Sequence, residues 1–293
     1  MKYFLFIISS CCLLLFSCKK DDKQAYSNDT GVRISSYKAP ATEVQIAYTD
    51  QNLISSIVAK QYQQNTLPFP SASFSIATTR VEYVNATPVK LATNITMGDI
   101  NVNTSSTLKW SGKGALQQIV NDNPSYQPVN WTADAQGRPT GYSDVGPGKK
   151  WTYDKNGNVV PENIPDGSSG TKTSTITFSN HKNPFNNGRI GLLLYMNASL
   201  QEPIDAVRYF SAQLPEKWEI IATRPITNIP GDLFPPATTF TSKTIFSYSY
   251  QFDGSGLLKG ITEKILIEDR RDDLLVYQSE TTNNYPVSSY RVR

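Results

Sequence analysis

Apolar and polar residues alternate along much of the chain in short runs. In Phe246-Ser247-Tyr248-Ser249-Tyr250-Gln251-Phe252 every second residue is aromatic, which is the period of a strand with one buried face. Four such runs end in an aromatic residue followed by one spacing pattern. Glycine or asparagine stands four residues on, an aliphatic residue six on and another nine on, as in Phe252/Gly256/Leu258/Ile261, Trp110/Gly114/Leu116/Ile119 and Tyr48/Asn52/Ile54/Ile57. Tyr153/Gly157/Val159 follows the pattern until Pro161 disturbs the outgoing strand, and Trp131 to Tyr142 is a weaker copy with Asp134 and Gly137. Each copy reads as a β-hairpin: an alternating strand runs in, a polar turn with Gly or Asn at positive φ reverses it, and a second strand runs out. Asp in the turn is placed to accept from nearby backbone N–H groups.

Other segments break the alternation. Ile204, Val207, Phe210 and Leu214 recur at near-helical spacing between Ser199 and Pro215, which predicts one short helix over 199–214, packed on the sheet. Residues 223–241 carry Pro225, Pro230, Pro235 and Pro236 and read as a long loop, and 144–150 and 161–174 read as shorter ones. Residues 264–268 and 274–278 read as strands flanking the charged turn Asp269-Arg270-Arg271-Asp272-Asp273. The predicted fold is mainly β, an antiparallel hairpin meander forming a curved sheet or partly closed barrel, with one short helix.

The apolar run from Tyr3 to Phe16 follows Lys2 and precedes Ser17-Cys18. It has the parts of a secretory signal and is too short for a spanning helix, which needs about 20 residues. Leu15-Phe16-Ser17-Cys18 resembles the lipobox of bacterial lipoproteins, with Phe16 in place of the usual small or aliphatic residue. The resemblance implies a signal peptide over 1–17 and lipid attachment at Cys18. Lys19-Lys20-Asp21-Asp22 then resembles the surface-export signal of Bacteroidota lipoproteins, and polar residues to position 40 read as a flexible tether. A β-rich domain over 41–293 follows.

Composition narrows the class. All three cysteines, Cys11, Cys12 and Cys18, fall in the signal or at the lipid site, so the mature domain depends on its core without a disulfide. Its length of about 276 residues is enough for a large core. The net charge of +3 is too small to point to nucleic acid. Charged residues make up 18%, below the roughly 25% of average globular chains, and aromatic and Thr residues are plentiful, as strands favour.

The aromatic-Asp-x-x-Gly-x-aliphatic hairpin, clearest in Tyr153-Asp154-Lys155-Asn156-Gly157-Asn158-Val159, resembles the YD (RHS-type) repeat. Over most of 43–290 the chain resembles Bacteroidota surface lipoproteins that carry scattered YD-like hairpins. In those, a strand ending in an Asn-Pro-Phe-type turn often follows the hairpins, and Thr175 to Phe185 looks like that element. The resemblance brings no catalytic residues with it.

The chemistry-bearing residues are sparse. His181 is the one histidine, which leaves no set for the usual zinc site and no Cys-His nucleophile. A Ser-His-Asp triad would need His181 as base, yet it stands beside the predicted turn Asn183-Pro184, and no Gly-x-Ser-x-Gly segment occurs. Asp154 to Asn158 has the look of a calcium loop, but its glycine comes too early and Pro165 stands where the chelating Glu belongs. No metal or other cofactor is expected. Trp110, Trp131 and Trp151 lie at or near hairpin starts. If those hairpins are neighbours, the indoles line one face as an aromatic platform for sugar rings or extended peptides; the other reading is that they fill the core. The functional expectation is a lipid-anchored outer-membrane protein exposed at the cell surface. It is read as a non-enzymatic binding module for a glycan or a partner envelope protein. The alternatives are a carboxylate-dependent glycan hydrolase and a structural envelope subunit.

Overall fold

The structure, a computed structural model, describes residues 31–39, 42–62, 74–143, 149–161, 170–186, 188–196, 203–226 and 237–292. The signal segment, Cys18 and most of the tether lie outside the described residues. The first strands are β1 (Val32–Ala39), β2 (Thr42–Tyr48), β3 (Ile54–Tyr62), β4 (Phe74–Val84), β5 (Thr87–Met97) and β6 (Ile100–Trp110). Shorter ones follow: β7 (Leu116–Asn121), β8 (Val129–Ala133), β9 (Pro139–Ser143), β10 (Lys149–Tyr153) and β11 (Val159–Pro161). After β12 (Thr171–Lys182) come the helices α1 (Arg189–Met196) and α2 (Pro203–Phe210). The chain closes with β13 (Gln213–Pro225), β14 (Thr239–Phe252), β15 (Leu258–Arg271) and β16 (Leu274–Arg291).

The strands form a 16-stranded antiparallel meander. Every strand lies beside its neighbours in sequence, except that β16 returns to pair with β1 and β11 does not pair with β12. The result is a barrel with one seam. The seam is bridged by the chain just after α2: Ala212 N–H donates to Gly157 O (3.1 Å), the Ser211 hydroxyl accepts from Val159 N–H (3.0 Å), and the Asn158 and Gln213 side chains bond each other (2.9 Å).

The repeated hairpins share one geometry. At Thr49, Ser111, Asp134, Asp154 and Asp253, the residue after the strand bonds backbone-to-backbone with the residue four on. Its side-chain oxygen accepts from that same residue's N–H, at 2.8–3.3 Å. The fourth residue of each turn has positive φ: Asn52 59°, Gly114 80°, Gly137 79°, Gly157 82° and Gly256 77°. This is a type I turn followed by a left-handed residue, which forms a bulge in the outgoing strand. The strand registers slip there, between Ala47 and Tyr48, Lys109 and Trp110, Thr132 and Ala133, and Gln251 and Phe252.

Strand direction then places all five turns, and the segment carrying both helices, at the same end of the barrel. The helices fill the interior there. Leu192, Leu193, Leu194, Tyr195, Val207, Tyr209 and Phe210 are buried in one cluster with residues from strands around the wall. Tyr37 of β1 meets the Tyr209 hydroxyl at 2.6 Å and the Phe185 ring at 5.3 Å. From β10, the Trp151 ring stacks on Phe210 at 5.5 Å. Gly191 lies so close to the second helix that a Cβ would stand 2.6 Å from Tyr209 O and 2.9 Å from Phe185 O. The Asn183 and Asn186 amides donate to Arg208, Phe210 and Ser211 carbonyls, satisfying groups that the end of α2 leaves unpaired.

Aromatic residues near the turns lock this end. On five inbound strands a Tyr or Trp donates to a carbonyl of the preceding strand or its flank: Tyr48 to Ile34 O, Tyr83 to Ile54 O, Trp110 to Pro88 O, Tyr153 to Pro139 O and Tyr250 to Pro215 O. Burial pushes the Tyr48, Tyr83, Tyr153 and Tyr250 hydroxyls well above the ordinary phenol range, so each stays a donor.

Several expectations change. The single helix becomes two: α2 falls within 199–214, but α1 has the sequence RIGLLLYM, apolar on all sides, and a short apolar run does not distinguish strand from helix. The stretch read as tether to residue 40 contains β1. A bulge between Ile34 and Ser36 puts Ile34 and Tyr37 three apart on the core side, which breaks the period of two. The strands flanking the charged turn are longer than read, and the turn contracts to Asp272-Asp273. The Pro-rich loop shortens because β13 reaches Pro225 and β14 begins at Thr239. The loop at 144–150 loses Lys149 and Lys150 to β10, and the loop at 161–174 loses Thr171 to Ser174 to β12.

Candidate functional site

The three tryptophans do not form an outer platform. Trp131 is 9% and Trp151 4% exposed, and their rings pack against each other and against Tyr195 of α1. Trp110 is half-buried against the same core, its indole donating to Pro88 O and covered by the Arg189 guanidinium. The core reading holds because the strand ends that carry them face the helices. His181 is exposed at the end of β12, 4.5 Å from the Phe252 ring. Asp154 to Asn158 is the hairpin turn described above. Cys18 lies outside the described residues.

The wall of the barrel reveals what it faces. Residues that alternate with the core positions point outward. They include Arg80 and Glu82 on β4, Lys109 on β6, Lys150 on β10, Lys217 and Glu219 on β13, Lys243 on β14, Lys264 and Glu268 on β15 and Glu280 on β16. Glu219 pairs with Lys217 at 3.1 Å and with Lys243 at 3.3 Å. A Lys or Arg facing lipid near the bilayer midplane costs about 2–4 kcal/mol, and membrane barrels carry an apolar outer band instead. This wall therefore faces water, and the helices block its lumen at one end. Inside, Glu263 is buried and accepts from the Tyr285 hydroxyl at 2.9 Å and the Asn283 amide at 3.4 Å.

A groove of about 990 Å³ lies on the outside of β4, β5 and β6. Its floor is set by register. Thr78, Asn94 and Asn103 lie in one row across the three strands, Arg80, Ala92 and Ser105 in the next, and Glu82 and Lys90 in a third. Ala92 sits at the centre of this polar lattice, and its small side chain makes the hollow. The loop after β7 forms the side wall: Asp122 N–H donates to Ser105 O (2.8 Å), Lys90 Nζ lies 3.5 Å from Asp122 Oδ2, and Tyr126 stands 61% exposed. The Asn94 amide donates to Asn101 and Asn103, so the amides on the floor are already oriented. Sequence reading missed this site because its residues come from three strands and a loop and share no local motif.

The sequence matches no protein-family model, and no curated protein matches it. Among solved structures it is similar to a porin-like protein from Bacteroides uniformis, with 14% identity over 80% of this chain and 97% of that one and a TM-score of 0.37.

Proposed function

We propose that this is a lipid-anchored protein of the bacterial cell envelope whose barrel serves as a non-enzymatic binding module presented to water. The observation that carries the reading is the combination of a charged outer wall with a lumen blocked by two helices, which suits a displayed domain better than a pore. The lipobox-like Leu15-Phe16-Ser17-Cys18 supplies the anchor, and two or more acyl chains hold a protein stably at a bilayer. The described chain starts at the plugged end, where Val292 N–H donates to Gly31 O. An anchor at Cys18 therefore joins the barrel from its plugged end. Lys19-Lys20-Asp21-Asp22 favours delivery to the outer surface. A glycan or a partner envelope protein is the ligand class.

The test is metabolic labelling with a fatty acid, followed by protease treatment of intact cells. The wild-type chain incorporates label and is cleaved from outside, whereas Cys18→Ser loses the label. Label retained in the variant, or a Cys18-independent membrane fraction, would remove the anchor from the reading.

A further inference from the structure

We infer that the outer groove over β4–β6 is a binding site for a neutral oligosaccharide strand; this rests on the binding-module reading and names its ligand. The floor offers both kinds of group: the Arg80 guanidinium and the Asn103 amide N–H donate, and the Glu82 and Asp122 carboxylates accept, while the Asn94 amide, held by Asn101 and Asn103, fixes the floor between them. Vicinal hydroxyls match such groups, because each hydroxyl donates once and accepts twice. The rows are about 4.8 Å apart across strands and about 6.7 Å apart along them. The floor therefore measures about 10 by 13 Å, the footprint of a short oligosaccharide. Ala92 leaves room at the centre for a ring to sit down between Arg80 and Ser105. Tyr126, at the side wall, presents an exposed aromatic face on which the apolar side of a sugar ring packs.

Charge selects against ionic ligands. Arg80 and Lys90 are balanced by Glu82 and Asp122, and Lys90 is already paired with Asp122. A polyanion would gain from two cations and be repelled by two carboxylates, so the groove has no net field to hold it. A neutral polyhydroxylated chain uses all four as hydrogen-bonding groups and needs no counter-charge.

The experiment uses the mature lipidated chain in detergent micelles, titrated calorimetrically with maltoheptaose, laminarin oligosaccharides and mannan oligosaccharides, with heparin as the anionic probe. At least one neutral oligosaccharide binds, with affinity nearly unchanged between about 0.05 and 0.5 M salt. Ala92→Trp fills the hollow and Tyr126→Ala removes the side face; each weakens binding about tenfold or more. Thr132→Trp, on the outer wall at β8, leaves affinity unchanged, and thermal melts confirm that all three variants fold. Binding of heparin alone, or no binding of any neutral probe, overturns the inference while the fatty-acid label still decides the anchor independently. Neutral binding that survives both groove variants overturns the site and leaves the binding-module reading standing.

Discussion

At the turn end of the barrel, five hairpins share one turn geometry, five aromatic side chains donate to the strand before or its flank, and two helices fill the space between. At the other end the described connections are unlike one another: a tight turn at Gly98-Asp99, a turn at Asp272-Asp273 with Asp272 at φ 48°, and the loop after β7. Exposed apolar residues are divided just as unevenly. Tyr62, Phe74, Met97, Ile100, Leu274 and Leu275 crowd this other end, against Val84, Val160 and Tyr290 at the turn end. The difference teaches a division of labour: the repeated end is packed and cross-linked and supplies stability, while the irregular end and the adjoining wall hold most of the exposed apolar residues and the groove.

The strongest test of that division is Leu194→Ala. Leu194 is 1% exposed within the helical plug, and emptying such a site costs about 2–5 kcal/mol. Chemical denaturation should show a loss of that size, and a change within about 0.5 kcal/mol would mean the plug is not the stability centre. Next comes Gly191→Ala, whose added carbon meets two backbone carbonyls that have nowhere to retreat; overpacking of this kind costs about 1–3 kcal/mol. Tyr83→Phe removes one aromatic latch, the 2.9 Å bond to Ile54 O, and should cost about 1 kcal/mol in the same measurement.

Acid probes both ends together. Hydrogen bonds from the Ser255 side chain and the Leu257 and Ser255 backbone hold the Asp253 carboxyl down to about 2, and bonds from the Thr239 and Thr238 side chains and backbone do the same for Asp272. A depressed folded-state pKa stabilises the fold above the ordinary carboxylate range, and this contribution is lost as pH falls from about 4 to about 2. Carboxyl-carbon NMR titration should give midpoints near 2 for both residues; ordinary midpoints would show that neither turn is held as described. The smallest effect is expected at the groove, where Tyr126→Ala should change unfolding stability by no more than about 0.5 kcal/mol, because its ring stands in solvent.

The turns were readable residue by residue. Asp253 and Gly256, or Thr49 and Asn52, form them through bonds within five residues, so local sequence carries the whole device. The latches were half readable: Tyr48, Trp110 and Tyr153 stood out by position, but their carbonyl acceptors lie on another strand. The groove was not readable at all. Ala92 is an unremarked small residue in an alternating strand until the register puts Arg80 on one side of it and Ser105 on the other.

The sequence by itself determined the strand-and-turn grammar, because alternation and positive-φ turns are local properties, and the lipobox-like segment before Cys18 carries the expectation of an anchor there. Only the tertiary structure decided that the turns gather at one end, that β1 closes on β16, that Trp131 and Trp151 face the helices rather than solvent, and that α1 is a helix. Those outcomes depend on which residues meet across the barrel. An apolar run or an indole is buried or exposed according to what stands opposite it, and sequence spacing does not encode that.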